Sequence, residues 1–426
     1  MSRDAITALV LFAGSYACFV ALPKRRAVVA CTGAALLMLS GTLTWQEAVL
    51  VCIQWNVIGL FFGTLVLAEL FMQSGMPAFL ADRLIGKTRT LRGAILAICL
   101  LAGWLSMFVE NVAVVMLVAP VAFSLARKSG TSPVPLLILV TLSANLQGTA
   151  TLIGDPPSMI LAGHMHMNFN DFFVYHGKVG IFFAVQAGAL AALAATAVML
   201  RGHGQRVEVR QPEVIRSLVP SWLIGILVAG LSVASVFDPA FKWLAGTLAL
   251  GLAVAGLFWW RCHARWGSLR RLVTILDWDT TLFLCGVFVL VGGVSKAGWL
   301  EVFSDRLSVL TAGNVAVAFV TIVIVALAVS AFVDNVPFLL AMIPVTQDVA
   351  AAMSVEPPLL MFGLLVGACL GGNITPIGAS ANIVAVGMLR KDGHPVSFRE
   401  FAALSLPFTL AAVAAGCLFV WIVWAP

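Results

Sequence analysis

Charged side chains are scarce in this chain. Asp, Glu, Lys and Arg make up 10% of 426 residues, against 61% hydrophobic residues and a mean hydropathy of +1.04. So little charge cannot cover a water-facing surface, so the solvent has to be lipid. The period-two alternation of a membrane barrel is also missing, which argues for helices. The eight cysteines show no CxxC or paired loop spacing and mostly sit inside apolar runs, so they read as small core residues, not disulfides or metal ligands. No serine, histidine and aspartate set, metal signature or phosphate loop is present, which argues against an enzyme and against a bound cofactor. The first apolar run, Ala5 to Leu22, has no small-residue cleavage site and carries its charge behind it, at Lys24-Arg25-Arg26. A secretory leader puts its charge in front, so this run reads as a retained span. The pI near 9.0 reflects bases gathered in a few loops, the positive-inside pattern, and implies no nucleic-acid partner.

What the chain does have is itself, twice. Phe108-Val109-Glu110-Asn111-Val112 returns 224 residues later as Phe332-Val333-Asp334-Asn335-Val336, and the same offset takes Gly148 to Gly372, Thr151 to Thr375 and Gly154 to Gly378. An offset of 223 takes Gly63 to Gly286, Gly75 to Gly298 and Asp82-Arg83-Leu84 to Asp305-Arg306-Leu307. In a hydrophobic chain, two copies of one unit are the mark of a secondary transporter with its site between the copies at mid-membrane.

The basic loops set the topology. Lys24 to Arg26, Arg83 to Arg92, Arg127-Lys128, Arg201 to Arg216, Arg261 to Arg271 and Arg390 to Arg399 all read as cytoplasmic. The stretch 91–126 starts and ends at such loops, so it is expected to be a re-entrant hairpin turning at Glu110-Asn111. The first repeat then occupies 1–200, with that hairpin and a broken helix over 134–163. A cytoplasmic linker follows at 201–217. The second repeat occupies 218–426, with a hairpin over 313–347 turning at Asp334-Asn335 and a broken helix over 359–389. Each copy has five crossings plus one hairpin. Five is odd, so the expected fold is an all-α polytopic membrane protein of two inverted repeats, with both termini periplasmic or extracellular.

The breaks are dense in glycine and proline: Gln147-Gly148-Thr149-Ala150-Thr151-Leu152-Ile153-Gly154-Asp155-Pro156-Pro157 and Gly371-Gly372-Asn373-Ile374-Thr375-Pro376-Ile377-Gly378-Ala379-Ser380. Unwound backbone at this depth is tolerated where it lines a cavity. A proline kink in a tilted helix is the competing reading. Four acids lie within apolar segments, Glu69, Glu110, Asp155 and Asp334, and no lysine or arginine is expected deep enough to neutralise them. A carboxylate so placed takes up a proton or recruits a cation. Glu110, Asp334 and Asp155 are therefore the candidate coupling groups. Asn111, Asn335, Thr149, Thr151, Asn373, Thr375, Ser380, Gly148 and Gly372 are the candidate substrate ligands. N-capping is the competing role for each acidic tip, and likewise for Asp155. Glu69 lies near a span end where it can reach water. His164 and His166 read as interfacial residues sooner than as a metal site.

At these motifs the chain resembles the ArsB/NhaD permeases of the ion transporter superfamily, which includes arsenite efflux pumps, sodium/proton antiporters, the melanosomal P protein and, distantly, sodium-coupled divalent anion symporters. Glu110-Asn111-Val112, Gly148 through Pro157, Asp334-Asn335-Val336-Pro337, and Gly371-Gly372-Asn373 through Gly378-Ala379-Ser380-Ala381-Asn382 carry the likeness over essentially the whole length. The resemblance implies a scaffold and a moving transport portion, in a cell membrane of prokaryotic inner-membrane type. The symporter relatives carry Ser-Asn-Thr at the hairpin tips, and here only the asparagines match. The leading expectation is proton-coupled efflux of arsenite or antimonite, with a Na+/H+ antiporter as the alternative. A sodium-coupled anion symporter ranks lower because acidic tips without a buried arginine repel a dianion, and so does a channel, which would also use breaks and buried acids but predicts transport independent of a driving ion. A cytoplasmic ATPase subunit, docked at Arg201 to Arg216, and a homodimer are the candidate protein partners.

Overall fold

A computed structural model describes residues 3–22, 25–205, 214–263, 276–311 and 313–426. Lys24, Arg206, Arg210, Arg265, Arg270 and Arg271, all counted in the basic loops above, lie outside the described residues. Eighteen α-helices are described, and eight of them are long and apolar enough to cross a membrane.

The first nine helices are α1 (Arg3–Ala21), α2 (Arg26–Leu39), α3 (Trp55–Gln73), α4 (Met76–Ile85), α5 (Leu91–Ser106), α6 (Asn111–Ser129), α7 (Pro133–Gly148), α8 (Pro156–Met165) and α9 (Ile181–Met199). The second nine are α10 (Val219–Phe237), α11 (Leu244–His263), α12 (Trp278–Lys296), α13 (Trp299–Leu310), α14 (Val315–Ser330), α15 (Asn335–Ala352), α16 (Pro357–Gly371), α17 (Ser380–Lys391) and α18 (Phe398–Trp424). The starts are written in the sequence. Proline, which needs no N–H partner, opens α4, α7, α8 and α16 in the first turn. Thr90, Ser132, Asn314 and Ser397 cap α5, α7, α14 and α18 through their side chains.

The two sets are copies of one plan of five crossings and one hairpin, and they interlock. α3 packs mainly on α11 of the other copy, while its repeat mate α12 packs on α2. Both seams depend on a small residue. A Cβ on Gly63 would lie 2.7 Å from the Ala249 Cβ, and one on Gly286 would lie 2.7 Å from the Ala30 Cβ. The matched glycines Gly75 and Gly298 turn the chain before α4 and α13 with φ of +78° and +77°, a conformation that disfavours any side chain. Such swapped pairing is what an inverted repeat produces.

Two details depart from the sequence expectation. The stretch around Arg83, read as loop, begins with α4, which buries Pro77, Ala81 and Ile85 at four-residue steps and leaves Arg83 exposed. A small antiparallel ribbon, Val174↔Val179 and Tyr175↔Lys178, precedes α9 in a chain expected to be all-α.

Candidate functional site

Four helix N-termini meet at one cavity. The hairpin turns present the starts of α6 and α15, and the two breaks present the starts of α8 and α17. Their N-cap residues Glu110, Asp334, Asp155 and Ala379 all line a cavity of about 60 Å³, together with Asn111, Asn335, Ser380, Arg26, Asp277 and Cys369. That is room for roughly two water molecules at about 30 Å³ each. The packing that brings them together is again swapped: α6 contacts α17 of the other copy, and α15 contacts α8. Each N-terminus carries partial positive charge, which offsets part of the repulsion among the three carboxylates.

Capping is real and coexists with exposure to the cavity. The Glu110 carboxylate accepts the Ala113 N–H at 3.2 Å, and that of Asp334 accepts the Val336 N–H at 3.1 Å. Asp155 does not cap its own helix through its side chain. It turns to Asn111, whose Nδ2 donates to Oδ2 at 3.1 Å, while the Asn111 Oδ1 accepts from the Ser106 hydroxyl. Gly148 is what admits Asn111, since a Cβ there would sit 2.4 Å from the amide oxygen.

The expectation that no basic residue reaches the acids is wrong. Arg26, at the start of α2, donates from Nη1 to Asp334 Oδ2 at 2.9 Å and to Ser380 Oγ at 3.2 Å. Its Nη2 donates to Thr280 Oγ1 at 2.7 Å, its Nε to Asp279 Oδ2 at 3.3 Å, and its guanidinium lies 5.2 Å from the centre of the Phe283 ring. The sequence placed Arg26 in a basic loop next to a span, where arginine normally faces water. Here α2 and α12 pair so closely that its side chain runs inward along their ends.

The remaining candidates hold the breaks in shape. Thr151 donates to the Met107 carbonyl and its repeat mate Thr375 to the Ala331 carbonyl, so each break is tied to its own hairpin. Thr149 donates to the Asn145 carbonyl at 3.4 Å and accepts the Ser158 hydroxyl on its own carbonyl at 3.2 Å. A Cβ on Gly372 would lie 2.9 Å from the Gly378 carbonyl oxygen, so the second break folds tightly back on itself. Across the copies, Asn145 of α7 donates from Nδ2 to Asn373 Oδ1 at 2.8 Å and to Asn382 Oδ1 at 3.0 Å. Asn382 in turn donates to the carbonyls of Gly372 and Thr375, both at 2.9 Å. Asn145 was not among the expected site residues, although an amide inside an apolar span is itself a signal. Glu69 lies apart from the cavity and accepts from Gln73 Nε2 at 2.8 Å. His164 is partly buried and His166 exposed, and neither lines the cavity.

The sequence profile of the citrate transporter family, CitMHS, matches residues 16–367. The chain belongs to that family. An uncharacterized transporter of Mycobacterium tuberculosis is 27% identical, with 98% of each chain covered. The P protein of Sus scrofa is 25% identical over 97% of this chain and 58% of its own length. Among solved structures, the YdaH transporter of Alcanivorax borkumensis superposes with a TM-score of 0.61 at 15% identity, covering 91% of this chain and 88% of its own. MtrF of Neisseria gonorrhoeae, from a class described as antimetabolite efflux pumps, does so with 0.58 at 13% identity, covering 92% and 85%. At these identities the structural likeness concerns the fold.

This CitMHS member is thus a multi-pass membrane transporter whose copies meet at a small polar cavity. Lining it are four carboxylates, Glu110, Asp155, Asp277 and Asp334, and one guanidinium. With all ionised, the lining carries an excess of negative charge. That balance attracts a proton or a cation, and it opposes a free polyanion.

Proposed function

We propose that the protein is a proton-coupled exporter of a small inorganic hydroxide, arsenite or antimonite, whose coupling groups are drawn from the carboxylate cluster of Glu110, Asp155 and Asp334. The carrying observation is that these three carboxylates, contributed by both copies, face one cavity of about 60 Å³ beside Asn111, Asn335 and Ser380. The hydroxyls of a metalloid hydroxide can donate to carboxylates and accept from amides. The cargo ligands narrow to Asn111, Asn335 and Ser380, with Thr149, Thr151, Asn373, Thr375, Gly148 and Gly372 shaping the breaks behind them. The motif likeness to the arsenite permeases supports the same reading.

A second reading, sodium/proton exchange, is favoured by the surplus of carboxylates over the single arginine. Citrate, the cargo of the family description, is favoured by Arg26 and the four helix N-termini but needs a larger opening and an accompanying cation. Proteoliposomes with an imposed pH gradient, tested with arsenite, antimonite, sodium, lithium, and citrate with and without a divalent cation, separate the three. Under the leading reading arsenite or antimonite moves the pH gradient and sodium and citrate do not. Glu110→Gln is expected to abolish pH-driven transport while gel filtration and circular dichroism stay those of the wild type. Wild-type turnover in that variant would remove Glu110 from the coupling cluster.

A further inference from the structure

Arg26 sits where the repeat provides no counterpart. The contacts of Gly286 with Ala30 and of Gly63 with Ala249 fix how α2 and α11 correspond, and in that register the position of Arg26 is held by Ala245. Asp279, one anchor of Arg26, is the repeat mate of Asn56, a neutral amide whose Oδ1 accepts the Gly246 N–H at 2.7 Å and whose Nδ2 donates to the Phe241 carbonyl at 2.7 Å. The copies thus treat their hairpin tips differently. Asp334 is ion-paired to Arg26 at 2.9 Å, whereas among the described residues no ion pair reaches Glu110 or Asp155, and the fourth lining carboxylate, Asp277, is engaged as the cap of α12 by the Thr280 N–H at 2.9 Å and the Thr280 hydroxyl. Arg26 also uses all three of its nitrogens, two toward α12 and one toward the second hairpin tip and α17.

We propose that Arg26 is a tethered counter-cation that occupies the ion position of Asp334, so that Glu110 and Asp155 alone exchange the coupling ion. The inference rests on the reading of the cavity as the coupling site and says which of its carboxylates are free to work. Its mechanical corollary is that Arg26 ties the second hairpin tip to the α2–α12 seam, and movement of that tip requires the pair to part. A guanidinium is never deprotonated, so Arg26 remains a cation fixed beside Asp334, where a mobile ion would otherwise sit.

Neutralising one member of such a pair leaves a charge stranded in a poorly solvated cavity, whereas neutralising both does not. In proteoliposomes Arg26→Gln, which strands Asp334, is expected to lower turnover by about 10-fold or more, and Asp334→Asn, which leaves Arg26 its pair with Asp279, by less. The double variant is expected to recover to within about threefold of wild type, as coupled neighbours do. The proton-to-cargo ratio, read from the reversal potential, stays at the wild-type value in the double variant, and adding Glu110→Gln to it abolishes transport. A double variant as inactive as Arg26→Gln, yet monodisperse on gel filtration, overturns the proposal, because Arg26 or Asp334 then handles cargo or ion directly. A changed ratio in an active double variant overturns it too. Those results leave the coupling reading intact, which fails separately if Glu110→Gln alone transports like the wild type.

Discussion

Replacing Asn145 by alanine tests whether the two breaks are one unit. Asn145 is 4% exposed, and Asn373 and Asn382 are fully buried. The substitution removes both N–H donors at once, at 2.8 and 3.0 Å, and strands the two amide oxygens they served. Neither oxygen can simply swing away, because the Nδ2 of Asn373 is held by the Leu142 carbonyl at 3.3 Å and that of Asn382 by two carbonyls of the second break. Leaving a buried acceptor unpaired costs about 1–3 kcal/mol, so the pair costs about 2–6 kcal/mol. The measurement is thermal unfolding of the purified protein in detergent by tryptophan fluorescence. Thr346→Val is the control, because the Thr346 hydroxyl is buried without a partner among the described residues and its loss should be neutral or stabilising. Asn145→Asp separates donor loss from lost volume, since an ionised carboxylate keeps the shape but offers no donor. If Asn145→Ala melts within about 2 °C of the control, the amide triad carries no stability and the reasoning is wrong.

Gly63→Ala and Gly286→Ala should each destabilise by about 1–3 kcal/mol, because the new methyl meets packed residues of the opposing helix and not a flexible side-chain end. The two sites are repeat mates on separate seams, so their effects should be alike and additive, and a melting temperature unchanged by either would contradict the close approach. Asp238, in the loop between α10 and α11, accepts the backbone N–H groups of Lys242, Trp243 and Leu244 at 3.0, 2.9 and 2.9 Å. Burial raises its pKa, but the N–H groups of Trp243, Leu244 and Lys242 outweigh that and hold it below the ordinary value. Its stabilisation is therefore complete above the unfolded pKa of about 4 and lost as pH falls through the lower folded value. Asp238→Ala should cost about 0.5–2 kcal/mol at neutral pH. The difference from wild type should shrink only in acid, and a difference that widens on acidification would refute the sign.

Hairpin tips, breaks and the two-copy plan were legible because each leaves a local mark: an acid beside an asparagine in an apolar run, or a cluster of glycine and proline. Repetition turned each weak mark into a strong one. Arg26 was not legible, since Lys24-Arg25-Arg26 after a span reads as an interfacial anchor, and only residues some 250 to 350 positions away show that one of the three turns inward. Asn145 was readable in principle. It sits in an apolar helix as the repeat mate of Cys369, and a polar residue standing where the other copy has a thiol marks a place where the halves have parted. Helices α4 and α13 were missed because short amphipathic segments between spans share the composition of charged loops. The repeat match at Asp82-Arg83-Leu84 falls inside them and was the available clue.

That parting is concentrated at the cavity and has a direction. Repeat mates Asp155 and Ala379, and Asn145 and Cys369, all lining the cavity, differ in polarity, while Thr149 and Asn373, and Ser158 and Asn382, in and beside the breaks, exchange a hydroxyl for an amide. The first copy retains two carboxylates without an ion pair among the described residues, Glu110 and Asp155. The second answers with amides, with Asp334 already matched by arginine, and with Asp277 engaged by Thr280 as a helix cap. Duplication alone would give two equal acidic tips, and with them two equivalent ion positions. Tethering a cation to one of them leaves a single position whose occupancy can change, on the half that also contributes Asn111 to the cavity. Under the proposed coupling role of Glu110 and Asp155, cargo moves against one exchangeable site, and the stoichiometry follows from which tip kept its charge unpaired and not from the number of acids in the membrane.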